Sequence, residues 1–76
     1  MKKQITPKEM LYILKKIGFN EDRVKGSHHH YIHPDGRKTT IPIHRNEQLG
    51  PGLLLKIIKQ DLKISKDEFF KLLKEK

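Results

Sequence analysis

Cysteine is absent from this 76-residue chain. Its absence excludes disulfide staples and thiolate metal ligands and removes any argument for an oxidising compartment, so a cytoplasmic location is expected. Long apolar runs are missing as well. Lys2 and Lys3 open the chain, but Met10, Leu11, Ile13, Leu14 and Ile17 are interspersed with lysines, so neither a signal peptide nor a membrane span is expected there. No internal repeat, linker or low-complexity tract occurs apart from a run of histidines. The length suits one domain, residues 1–76, that buries roughly 60% of its unfolded surface.

Positive charge is abundant. Seventeen Lys and Arg oppose nine Asp and Glu, a formal net charge of +8. Such a field favours nucleic acid, an acidic protein or an anionic membrane surface as partner.

The first helix is legible from its ends. Thr6, Pro7 and Glu9 form an N-cap, a proline at the first helical position and a capping-box acceptor, while Ile5 and Met10 form a hydrophobic staple. Apolar spacings of three and four lead to Gly18, which stops a helix expected over residues 7–17. From Asn20 the helical period disappears. Three short strands are expected, the second and third joined by the turn His33-Pro34-Asp35-Gly36-Arg37, with β-branched Thr39 to Ile43 forming the third. Alternation puts His28, His30 and Ile32 on one face and His29, Tyr31 and His33 on the other, without saying which is buried. Pro42 cannot donate to a ladder, so that strand either ends there or lies at an edge.

A second helix is expected over residues 51–61, with Leu54, Ile57 and Ile58 on one face. Ser65 to Glu68 then form a second capping box ahead of a short helix containing Phe69, Phe70, Leu72 and Leu73. The order α-β-β-β-α-α predicts an α+β fold with a three-stranded antiparallel sheet, the first two helices on one face and the other face wet.

Four of the five histidines lie between residues 28 and 33, and the fifth is His44. An expression tag would be internal here and would run on into a strand. A metal site would use His28 and His30 with His33 or His44, but no carboxylate or cysteine at fixed spacing completes a ligand set. Solvated strand histidines without a role are the plain alternative. A further reading is acid–base chemistry on RNA. Imidazole titrates near pH 6.5, so it can take a proton from a ribose 2′-hydroxyl or give one to the leaving oxygen. Lys25, Arg37, Lys38 and Arg45 lie close in sequence to hold the phosphate.

These residues carry a resemblance. The stretch from Lys25-Gly26-Ser27-His28-His29-His30 through His33-Pro34-Asp35-Gly36-Arg37, then Ile41-Pro42-Ile43-His44, then Leu49-Gly50-Pro51-Gly52 with Leu54, Ile57, Ile58, Lys59 and Gln60, resembles the HicA family of bacterial toxins. The resemblance runs from the first helix to the last. It implies a double-stranded-RNA-binding-domain-like fold in a bacterial or archaeal cytoplasm. It also implies ribosome-independent cleavage of mRNA and neutralisation by a HicB-type antitoxin; the cleavage is expected to need no metal or cofactor, and the antitoxin is expected to cover the histidine strand. The essential histidine of the family follows the Gly-Ser pair and maps to His28, with His29 as the fallback; the triple histidine departs from the usual single or double one. Lys25, Ser27, His30, Arg37, Lys38, Arg45, Lys56 and Lys59 are the expected RNA-binding residues. A non-catalytic RNA-binding module of the same fold is the alternative, and a basic protein that only docks an acidic partner is a third class.

Overall fold

The computed structural model describes residues 5–44 and 48–75. Helix α1 spans Pro7–Lys16 and begins on a complete capping box: Thr6 Oγ1 accepts from the Glu9 N–H at 3.1 Å, and Glu9 Oε1 accepts from the Thr6 N–H at 3.0 Å. It ends one residue earlier than expected because Ile17 is its C-cap. Gly18 follows at φ 104°, which lets the Phe19 N–H reach the Leu14 carbonyl at 2.8 Å and the Gly18 N–H reach the Lys15 carbonyl at 3.2 Å. Both are bonds of a Schellman stop, and they turn Phe19 into the core.

Strands β1 (Asn20–Lys25), β2 (His28–Ile32) and β3 (Lys38–Pro42) form an antiparallel meander in that spatial order. Gly26, at φ 60°, supplies the positive dihedral in the two-residue β1–β2 turn, so Lys25 pairs with His28. The third strand starts and ends one residue before the expected span. Ile43 nevertheless extends the ladder by donating to the Ser27 carbonyl at 2.8 Å. Pro42 lies at the end of an edge strand, where its missing donor costs the ladder nothing.

Register decides which face is buried. Tyr31 pairs with Thr39 and His29 with Ile41, and Tyr31, Thr39 and Ile41 are buried against the helices. The other face shows His28, His30, Ile32, Lys38, Thr40 and Pro42, all exposed or half-buried.

Helix α2 spans Pro51–Lys56 and continues as a π-helical turn over Ile57–Leu62. A single α-helix over 51–61 is therefore not what forms. Two ties from β3 and the loop before it hold the wider turn while Ile57, Ile58 and Leu62 stay buried: Thr39 Oγ1 donates to Asp61 Oδ2 at 2.9 Å, and the Arg37 guanidinium donates to the Leu62 carbonyl. Lys63, at φ 58°, ends the turn. Helix α3 (Lys66–Lys74) packs on α1 and the π-turn and adds Phe69 and Leu73 to the core. Its expected capping box is half made. Ser65 Oγ accepts from the Glu68 N–H at 3.0 Å, and no return bond from the Glu68 carboxylate is present among the described residues. Ahead of α2, the Leu49 N–H donates to the Ile5 carbonyl at 2.9 Å and pins the segment before α1 to the segment before α2.

Candidate functional site

The tight Gly26-Ser27 turn places His28 at the first position of β2, and the pleat then repeats its face at His30. Across the sheet, His28 lies between Lys25 and Pro42, and His30 lies between Arg23 and Thr40. At 3.4 Å per residue the two histidine positions are roughly 7 Å apart along the strand. Thr40 Oγ1 is 2.9 Å from His30 Nδ1, which fixes that ring from below. Lys38 pairs with Ile32 and is diagonal to His30, at a typical Cα separation of roughly 7–8 Å. The open face thus unites two imidazoles with Arg23, Lys25 and Lys38. Ser27 forms the turn at its rim.

Other candidates lie elsewhere. His29 sits on the inner face, half-buried between Val24 and Ile41. His33 is a structural clasp: Nε2 bonds the Ile17 carbonyl at 3.0 Å, Nδ1 accepts from the Asp35 N–H at 3.1 Å, and the ring meets Phe19 edge-on. It thereby satisfies a carbonyl left over at the end of α1. Arg37 is equally committed. Its Nε donates to Asp35 Oδ2 at 2.8 Å, its guanidinium lies over Phe19 at 5.3 Å and it holds Leu62, so it does not extend toward the open face. The Arg37 N–H, followed by its guanidinium, holds the Asp35 carboxyl below the ordinary range. Lys56 ends α2 and Lys59 lies exposed on the π-turn, both in the helical layer. Arg45 lies outside the described residues. On the inner face Tyr31 is buried, and burial with the Glu21 carboxylate beside it raises its phenol pKa.

Arg23 and Thr40 belong to the open face and are missing from the sequence-derived set. Arg23 was within reach of that reading, because a two-residue turn at Gly26-Ser27 fixes the register that sets it opposite His30. Thr40 needed the β2–β3 register. Among the described residues, no group of three or more His, Asp or Glu side chains is placed to hold a metal ion.

A family model described as HicA toxin of bacterial toxin-antitoxin systems matches residues 7–61. The chain belongs to the HicA toxin family. A search of curated proteins gave no match. The HicA match takes in α1, the whole sheet and nearly all of the α2 and π-turn helix, so the open histidine face lies within it and α3 lies beyond it. As a HicA toxin the protein is the toxin half of a toxin-antitoxin pair and has a cognate antitoxin as partner. No described helix is long and apolar enough to cross a membrane.

Proposed function

We propose that the protein is a metal-independent endoribonuclease that cleaves mRNA on the open face of its sheet, with His28 as the general acid or base. The observation that carries this reading is an exposed imidazole at the start of β2, opposite Lys25 and next to the Arg23–His30–Thr40 row, in a chain of the HicA family. In the reaction the 2′-oxygen attacks the adjacent phosphorus as its proton passes to a base. The bond to the 5′-oxygen breaks as that oxygen takes a proton from an acid, leaving a 2′,3′-cyclic phosphate and a 5′-hydroxyl. Imidazole can serve in either position near neutral pH. Lys25, Arg23 and Lys38 offset the charge that builds on the phosphoryl oxygens, and His30 orients the strand through a ring held by Thr40.

The antitoxin in this reading is of the HicB type and covers the same face. Exposed ion pairs are individually weak, so durable neutralisation comes from covering the histidine strand, while the positive field speeds encounter with an acidic partner.

Two measurements test the proposal. Induced expression should arrest growth and fragment mRNA, and the purified protein should cut RNA in the presence of EDTA to give cyclic-phosphate ends. An intact RNA pool sinks the catalytic reading, and loss of cutting in chelator restores a metal. For the partner, a cleavage-dead variant should lose RNA as antitoxin is added, at moderate and at high salt. Simultaneous binding without mutual weakening would rule out occlusion.

A further inference from the structure

A cleft of about 260 Å³ opens where β3 meets α2 and the π-turn, lined by Lys38, Thr39 and Thr40 on one side and Leu53, Lys56 and Asp61 on the other. The acid–base chemistry above does not use it. Thr40 nevertheless connects the two regions, since it lines the cleft at the β3 edge and its Oγ1 holds His30 on the open face. An RNA strand crossing the histidine face toward β3 therefore meets this cleft next.

We propose that the cleft is a nucleobase subsite of the same RNA track and that Asp61 selects guanine there. The inference rests on the RNA reading above and extends it to substrate preference. Asp61 Oδ2 accepts from Thr39, which fixes the carboxylate, while Oδ1 is 3.8 Å from Lys56 Nζ and keeps capacity to accept. An ionised carboxylate accepts and never donates. A phosphate in the cleft would meet that negative charge, and a divalent cation would meet two lysines around a single carboxylate. A flat base offering N–H donors fits, with Lys38 and Lys56 taking the flanking phosphates and half-buried Leu53 offering apolar surface. Single-stranded RNA is read along such base edges. Guanine presents two adjacent donors, N1–H and the 2-amino group. Adenine and cytosine set one amino group beside a ring nitrogen that repels the carboxylate, and uracil sets its single N–H between two carbonyls. The volume lies below that of a drug-sized pocket, roughly 300–1,000 Å³, and suits one base.

The test separates binding from cutting. Uridine pentanucleotides with a single variable central base, 2′-O-methylated so that no 2′-hydroxyl can attack, are titrated into the wild type and Asp61→Asn at one salt concentration. The wild type should favour the guanine oligonucleotide over the all-uracil one by about tenfold to a hundredfold, the worth of hydrogen bonds to a charged group. In Asp61→Asn, whose amide retains an acceptor for Thr39, the ratio should fall toward one. A wild type that binds all four bases alike, or binds no RNA, overturns the proposal whether or not the variant folds. A preference that survives in a folded Asp61→Asn overturns it too. A guanine preference in a protein that never cuts cleavable RNA supports the subsite and defeats only the catalytic reading.

Discussion

His28 opens β2 and His33 follows its end, five residues on, and the two share almost nothing but an imidazole. His33 has both ring nitrogens engaged, an aromatic neighbour in Phe19 and a glycine against its ring, since a Cβ on Gly18 would come within 2.9 Å of its Nε2. His28 is exposed beside a two-residue turn and contributes little to packing. Residue type therefore says little about role here. A histidine fully occupied by its own chain holds the fold, and one left in solvent among cations is available for chemistry.

The sharpest way to break this contrast is to truncate each ring. His28→Ala should reduce RNA cleavage by about 10² to 10⁴ with the denaturation midpoint unchanged, as expected for loss of a general acid or base. If activity persists there and vanishes in His29→Ala, the role moves one residue, to the inner face. Full activity in both variants would remove the histidine mechanism.

His33→Ala should do the reverse. Losing its packing on Phe19 and stranding the Ile17 carbonyl should lower stability by about 2–3 kcal/mol in urea unfolding. Gly18→Ala should lose about 1–3 kcal/mol through its left-handed backbone and its contact with the same ring. Because the two sites touch, the double variant should lose less than the sum. Additive losses would mean that the ring and the helix stop act independently.

Thr40→Val should have a smaller effect. Removing the hydroxyl that holds His30 should slow cleavage about fivefold, the worth of a ~1 kcal/mol hydrogen bond, with stability within about 0.5 kcal/mol of the parent. An unchanged rate would remove His30 from the reaction.

The smallest effect concerns pH. The Asp35 carboxyl in the folded chain titrates below its ordinary value of 3.8, so its contribution to stability is complete above that value and fades as pH falls through the lower, folded one. Asp35→Asn should flatten the acid limb of a stability–pH curve relative to the parent. Parallel curves would place the acid response elsewhere.

Much of this architecture could be read in the sequence because it is encoded locally. Thr6 and Glu9 are three residues apart, Gly18 follows its helix directly, and Gly26-Ser27 closes its own hairpin. The burial of Tyr31 rather than His30 could not be read, because His-Tyr alternation offers two amphipathic faces of similar character. The clasp was hidden for a different reason. His33 reaches back 16 residues to Ile17 and Arg37 reaches forward 25 to Leu62, so the conspicuous turn motif looked like a neighbour of the site when its side chains face the scaffold. The π-turn was hidden too, since Leu54, Ile57 and Ile58 have the spacing of an ordinary helix and the departure depends on Thr39 and Arg37.

That turn also acts as an angular coupling. In an α-helix each residue advances the chain by about 100° around the axis, and the wider winding over Ile57–Leu62 shifts the phase at which Asp61 and Leu62 emerge. Rewinding the same six residues as α-helix, with none deleted, would rotate the Asp61 carboxylate away from Thr39 and the Leu62 carbonyl away from Arg37 together. The lining of the β3 cleft and the Arg37 tie to Leu62 thus share one rotational setting, and a single change of winding reaches both at once.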